Sequence, residues 1–62
     1  MNEAEAINEL RDAKLKAERG GRRHLPHAIR EARTAGMTDV QIAAELDMSA
    51  ELVATVAPAE ST

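Results

Sequence analysis

The side chains of this chain offer few combinations that could support catalysis. His24 and His27 are spaced like metal ligands, but two imidazoles supply only half of a zinc site, and the sequence contains no cysteine to complete it. Ser49 and Ser61 have no base at a spacing that would place it nearby, and Gly20-Gly21 lacks the pattern of a phosphate-binding loop. We therefore expect no enzyme activity, no cofactor and no bound metal.

The charged side chains divide the chain into two parts of different sign. Up to Arg33 the chain has eight basic and six acidic residues, and after Arg33 it has five acidic residues and no basic one. The formal net charge of −3 does not suggest a protein that coats nucleic acid. Any contact with nucleic acid must therefore depend on a local cluster of bases.

The composition predicts one small domain with a thin core. Thirteen of the 62 residues are alanines, and there is neither an aromatic residue nor a cysteine. A chain of this kind gains stability from well-packed helices or from oligomerisation, so we expect a homodimer. The sequence shows no signal peptide and no stretch of about 20 apolar residues, and we expect a cytoplasmic protein.

The periodicity of the apolar residues predicts an all-α protein, in which a long N-terminal helix precedes a trihelical unit. The first helix is expected to run from about residue 2 or 3 to Arg19, and Gly20 ends it. Its apolar stripe consists of Ala6, Leu10, Ala13 and Ala17, with Ile7 at the edge. Leu15 and Ala4 lie almost opposite this stripe, which indicates either a contact with a partner subunit or one exposed leucine.

A break and a basic linker follow the first helix. Pro26 suits the first turn of a second helix, from about Pro26 to Ala35, and is expected to hold Leu25 extended. The predicted core face of this helix is Leu25, Ala28, Ile29 and Ala32. The chain thus divides into residues 1–19 as a helix that could mediate dimerisation, 20–25 as a basic hinge, 26–57 as the trihelical unit and 58–62 as a flexible tail.

Capping residues divide the rest of the chain into two short helices. Thr38 and Gln41 fit a capping box that opens the third helix. The predicted core face of that helix is Val40, Ala43 and Leu46, with Ile42 beside them. Ser49 is expected to cap the fourth helix, and Pro58 to end it after about two turns.

The segment from Ala28 to Val53 resembles the helix-turn-helix of many bacterial regulators. In that family a helix ends in Ala-x-Gly, and a Ser or Thr cap precedes an Ile-Ala-x-x-Leu helix. A tight turn ending in serine then leads to a recognition helix with a buried valine. The matching residues are Gly36, Thr38, Ile42, Ala43, Leu46, Ser49 and Val53. Asp47 departs from the pattern, because the family usually has glycine at this turn position, which often needs a left-handed backbone.

The first helix and the basic linker also resemble those of small actinobacterial and phage proteins of this kind. The resemblance implies a DNA-binding protein, a dimeric transcriptional regulator that binds double-stranded DNA. The positions that face the major groove in the family correspond to Ala50, Glu51, Leu52, Ala54 and Thr55. None of them is the Arg, Lys, Asn or Gln that usually reads base edges.

If DNA is bound, the basic residues before the motif are expected to contact its phosphates, which positions a protein without specifying sequence. The expected phosphate-binding residues are Arg22, Arg23, Arg30 and Arg33, with Lys14, Lys16 and Arg19 as further candidates. The same bases would also suit a solvated helix face and a flexible linker without any ligand.

A second interpretation assigns the helix-turn-helix scaffold to protein recognition. Leu52, Val53 and Val56, with Met37 and Met48 nearby, could form an apolar patch that binds a partner protein. Alternatively, Met48, Val53 and Val56 complete the small core and leave Leu52 as one exposed residue.

Overall fold

The structure is a computed structural model that describes residues 2–58. This range contains four α-helices: α1 (Glu3–Glu18), α2 (Leu25–Thr34), α3 (Asp39–Leu46) and α4 (Ala50–Val56). A short 3-10 helix, Arg22–His24, joins α1 to α2, and residues 2–58 contain no strand. The prediction of an all-α protein is confirmed. The tail predicted for residues 58–62 lies, apart from Pro58, outside the described residues.

The first helix has the ends and the apolar face that the sequence predicts. The Asn2 side chain accepts a hydrogen bond of 2.8 Å from the backbone N–H of Glu5, and this caps α1. Gly20 follows the helix with a φ of 93°, a left-handed conformation that glycine adopts without a steric penalty. The buried residues of α1 are Ala6, Leu10 and Ala13. Leu15, on the opposite side, is 56% exposed.

The second helix begins one residue earlier than predicted. Leu25 is helical, with φ −60° and ψ −48°, so the expectation of an extended Leu25 before Pro26 is wrong. Its side chain is only 3% exposed and packs in the core, so its burial outweighs the preference for an extended residue before proline. The predicted core face of α2 is confirmed, and Gly36 follows the helix with a φ of 96°.

The third helix buries the predicted apolar residues except Val40. Its buried residues are Ile42, Ala43 and Leu46, whereas Val40 is 71% exposed, so the prediction that Val40 belongs to the core is wrong. Val40 precedes Ile42 by two residues, which is roughly 200° around an α-helix. Both therefore cannot face the core, and the side with Ile42 and Leu46 is the one that the other helices cover.

The connection between α3 and α4 is short because its residues adopt the required turn conformations. Asp47 is left-handed, with φ 56° and ψ 48°, as the resemblance to the family implies. At the beginning of α3, the Thr38–Gln41 capping box is complete, with hydrogen bonds of 3.2 Å and 2.9 Å. The Ser49 hydroxyl accepts a hydrogen bond of 3.1 Å from the backbone N–H of Leu52 and so caps α4.

Each helix contributes one large, fully buried side chain to the core: Leu10, Ile29, Ile42 and Val53. α1 packs against α2 and α3, and α4 packs against the same two helices. Within residues 2–58 the backbones of α1 and α4 do not approach each other, so a gap remains between them. None of the described helices combines the length and the apolar character needed to cross a membrane.

Candidate nucleic-acid interface

The fourth helix presents most of the predicted base-facing positions to solvent. Its exposed residues are Glu51, Leu52, Ala54 and Thr55. Val53 is fully buried and anchors the helix, and Ala50 is half-buried because it packs against the core. The Thr55 hydroxyl donates a hydrogen bond of 3.0 Å to the carbonyl of Glu51, so part of its hydrogen-bonding capacity is already used.

A shallow groove of about 320 Å³ lies between the end of α1 and the beginning of α4. Its larger apolar residues are Leu25, Leu46, Met48 and Leu52, and its charged residues are the bases Lys14 and Arg22 and the acids Glu18 and Asp47. The fold therefore brings two bases from the first third of the chain to the same groove as Leu52 of α4. In the sequence, Lys14 and Arg22 lie far from the fourth helix, so this proximity could not be predicted from the spacing of the residues.

Three arginines cluster at the turn between α1 and α2. Arg19, Arg22 and Arg23 surround the Gly20-Gly21 pair in an open depression. A Cβ atom at Gly21 would lie 3.1 Å from the Lys16 carbonyl oxygen, so any side chain there would crowd the backbone of this turn. The side chains of Arg22 and Arg23 are exposed and form no salt bridge with any residue in the range 2–58. They are therefore available to an anionic ligand.

Arg30 and Arg33, both on α2, have different environments. Arg30 is exposed and forms no ion pair within the described part of the chain. Arg33 donates from Nε to Asp39 Oδ1 at 2.9 Å and from Nη2 to Asp39 Oδ2 at 3.2 Å, and its Nη1 donates to the carbonyl of Ala57. Only 21% of its side chain is exposed. Arg33 is one of the four arginines expected to bind phosphate, but it differs from the other three because its guanidinium is bound within the protein.

The contacts of Arg33 connect three helices through charge. Asp39 is the first residue of α3, and Ala57 directly follows α4, so Arg33 ties the end of α2 to both. The hydrogen bond from Arg33 lowers the pKa of Asp39, and the attraction of the guanidinium charge adds to this effect, while burial opposes it. Asp39 is therefore ionised throughout the physiological pH range. We refer to Arg33, Asp39 and the Ala57 carbonyl as the Arg33 clamp.

The other bases of α1 are partly engaged in ion pairs. Lys16 contacts Asp12 at 2.9 Å, as the i, i+4 spacing predicts, and Arg11 contacts Glu45 of α3 at 3.1 Å. Arg19 is exposed, and Lys14 lines the groove described above. Of the further candidates, Lys14 and Arg19 are thus the better placed to contact an anion.

The histidines do not form a metal centre within the described residues. His27 Nε2 lies 3.6 Å from a carboxylate oxygen of Glu9 and 3.8 Å from one of Glu31, distances that suit weak ion pairs when the imidazole is protonated. Within residues 2–58, no three or more His, Asp or Glu side chains are arranged so that they could hold a metal ion.

The apolar patch considered for protein recognition is smaller than the sequence allowed. Met37 and Val53 are buried, so the interpretation that places them in a surface patch is wrong. The alternative, in which Met48, Val53 and Val56 complete the core, fits: Val53 is buried and the other two pack against the core. Met48 and Val56 are half-buried, and Leu52 is 42% exposed. Leu52 is therefore the centre of whatever apolar surface α4 offers.

No family model matches this chain, and no curated protein or solved structure is similar enough to match it. Any assignment of function therefore depends on the groove, the basic cluster and α4.

Proposed function

We propose that α2, α3 and α4 form a helix-turn-helix and that the chain is a small DNA-binding protein, a transcriptional regulator of the bacterial and phage type. The arrangement of the helices supports this proposal. α3 and α4 are joined by a turn whose left-handed residue is Asp47, and α4 packs on α2 and α3 while its other face is exposed. A recognition helix needs this exposure in order to enter the major groove.

The observation that carries the proposal is the shared groove of Lys14, Arg22 and Leu52. Attraction to phosphate supplies most of the non-specific affinity of a DNA-binding protein. α4 itself has no basic residue and contains Glu51. Glu18 and Asp47 line the same groove, so its positive charge is confined to Lys14 and Arg22. An acidic α4 can still approach a duplex where these two bases meet the phosphates.

Affinity and sequence preference then come from different residues. We assign the phosphate contacts to Arg22, Arg23 and Arg30, and we leave out Arg33 because its guanidinium is bound within the protein. The base-facing side chains of α4 can offer only the Glu51 carboxylate as an acceptor to cytosine and apolar contacts to thymine methyl groups. We therefore propose weak sequence discrimination, a homodimer that doubles the phosphate contacts, and a location in the cytoplasm, where the DNA is.

A salt titration tests this proposal. The association constant for random duplex DNA would be measured by fluorescence anisotropy at several salt concentrations. Three phosphate contacts predict a slope of log K against log salt of about −2.7 per protomer. Arg22→Gln should make the slope less steep by about 0.9, because one phosphate contact is lost.

Lys16→Gln is the matched control, since it removes the same charge from a base that is paired with Asp12. Its slope should equal that of the wild type. If the wild-type protein shows no binding even at the lowest salt concentration, the DNA-binding proposal is wrong. Equal slopes for Arg22→Gln and Lys16→Gln would contradict the assignment of Arg22.

A second candidate function, binding of a partner protein, is favoured by the same groove. Its apolar residues and the 42% exposed Leu52 would suit an amphipathic helix of another regulator or of a polymerase subunit. Leu52→Asp should then abolish capture of that partner in a pull-down, whereas Leu15→Asp, on α1, should retain it. Under the DNA-binding proposal, Leu52→Asp should weaken DNA binding and leave the salt slope unchanged.

A further inference from the structure

Two large apolar side chains remain exposed on the side where α1 and α3 meet. Leu15 of α1 is 56% exposed and Val40 of α3 is 71% exposed. Ala44, one helical turn after Val40, is exposed as well, and it lines a shallow depression together with Leu15. Leu15 and Ala44 share this depression, and Val40 lies on the same side of α3 as Ala44. We call these three exposed apolar residues the α1–α3 patch.

The fold itself does not use the α1–α3 patch. α1 and α3 bury their other faces, through Leu10 and Ile42. The depression of the patch shares Lys14 and Glu18 with the groove assigned to DNA, but it does not include Leu52 or Arg22. Apolar surface shared by two helices in this way is typical of an interface.

The charges around the patch indicate which partner would cover it. The depression is bordered by two bases, Arg11 and Lys14, and by two acids, Glu18 and Glu45. In a two-fold dimer the same surface meets itself, so it must carry both signs in matching numbers. This border does so.

The size of the molecule is compatible with such a dimer. A standard interface buries about 800 Å² on each partner, roughly a fifth of the 4179 Å² surface of this chain. The described core has only four large side chains with no exposed surface, and a protein of this length often needs oligomerisation for stability. Burial of Leu15 and Val40 would add two more large apolar side chains to the packed interior.

From these observations we infer that a second copy of this chain docks on the α1–α3 patch and forms a two-fold dimer. Leu15 and Val40 of each copy pack at its centre. Arg11 and Glu45 remain paired within each copy, and Lys14 and Glu18 at the border pair across the two-fold axis. The inference specifies the surface of the homodimer named above, and it does not depend on DNA binding. The dimer leaves α4 and Arg22 free for a duplex.

Sedimentation velocity of the full chain without DNA, over a concentration series, tests the inference. The wild-type protein should form a dimer, and Leu15→Asp and Val40→Asp should each weaken it about tenfold or more, because each places a carboxylate at the centre of the interface. Leu52→Asp, which changes an exposed leucine on α4, is the matched control and should leave the dimer constant unchanged. Circular dichroism would verify that every variant keeps its helix content, and Leu15→Ser replaces any Asp variant that does not.

Three outcomes would overturn the inference: a wild-type protein that remains monomeric at the highest concentration, a dimer that tolerates both patch variants, or a dimer that only Leu52→Asp dissociates. DNA titration of the Leu15→Asp monomer separates this inference from the proposed function. A monomer that binds DNA with about half the wild-type salt slope supports both. A patch-dependent dimer that binds no DNA would refute only the proposed function.

Discussion

Replacing Arg33 by alanine should destabilise this protein more than any other change to an arginine. The change removes both hydrogen bonds to the Asp39 carboxylate and the hydrogen bond to the carbonyl of Ala57. Because these three parts belong to α2, α3 and the end of α4, their loss should also loosen α4 against the rest of the domain. The variant therefore tests whether the Arg33 clamp contributes to the stability of the helix packing.

The magnitude follows from the exposure of the partners. The Arg33 and Asp39 side chains are 21% and 37% exposed, so their ion pair is partly screened and contributes about 1 kcal/mol. Ala57 is fully buried, and a buried carbonyl left without a donor costs about 1–3 kcal/mol. The two contributions sum to about 3 kcal/mol, which for a domain of this size lowers the Tm by about 10 °C or more.

Thermal unfolding followed by far-UV circular dichroism measures this loss. Arg30→Ala is the matched control, since Arg30 lies on the same helix and is exposed, and its effect should stay within about 0.5 kcal/mol. Arg33→Lys should fall between the two, because lysine keeps the charge but cannot bind both carboxylate oxygens in a planar fork. If Arg33→Ala and Arg30→Ala unfold at the same temperature, the reasoning about the clamp is refuted.

Acid should weaken the same clamp. The pKa of Asp39 in the folded protein is lowered from its ordinary value of 3.8 by the hydrogen bond from Arg33. The stabilisation is therefore fully present above pH 3.8 and is lost as the pH falls through the lowered pKa of the folded state. The stability difference between the wild type and Asp39→Asn should be constant near neutral pH and shrink in this acidic range. A stability difference between the two proteins that is the same at neutral and at acidic pH would contradict this mechanism.

Two further predictions concern the core and the turn. Leu10→Ala should cost about 2–5 kcal/mol of stability and leave little folded protein, because Leu10 is fully buried. Leu15→Ala in the monomer should change stability by less than about 0.5 kcal/mol, because Leu15 is exposed. Chemical denaturation measures both changes, and equal losses would contradict the assigned burial. Asp47→Ala should destabilise by about 1 kcal/mol because its backbone is left-handed, and Asp47→Gly should be at least as stable as the wild type; the reverse order in thermal unfolding would mean that the Asp47 side chain, not its backbone, matters.

The sequence predicts the local features of this fold well, because each depends on residues within one helical turn. Asn2 was inferred only as a possible start of α1, but the Thr38–Gln41 capping box and the Ser49 cap were predicted from the same residues that form them. The apolar stripe of α1 was also unambiguous, since Leu10 has alanines at helical spacing on both sides. Caps and single stripes need no knowledge of the neighbouring helices.

The apolar pattern of α3 illustrates what the sequence could not decide. Val40, Ile42, Ala43 and Leu46 allow two different stripes, and only the direction in which α3 crosses its neighbours selects Ile42 and Leu46. The role of Arg33 has the same origin. A pair of opposite charges six residues apart across a turn is a weak signal, and the carbonyl of Ala57 lies 24 residues away in the chain. Tertiary contacts of this kind leave no periodic trace in a single sequence.

The separation of basic and acidic residues along the chain also changes its meaning once the helices are packed. In the sequence, the bases precede the proposed recognition helix and are well separated from it. In the fold, Lys14 and Arg22 border the same groove as Leu52, while Asp47 lies on its other side. A duplex that approaches this groove would be attracted by Lys14 and Arg22 and repelled by Glu18 at the end of α1 and by Asp47 at the turn before α4. The proposed function therefore requires an asymmetric approach, in which the arginines hold the phosphates of one strand and α4 contacts the bases through its apolar residues. Reversing the sign of Asp47 with lysine should strengthen binding to random DNA, whereas a protein that binds only other proteins through Leu52 would show no such gain.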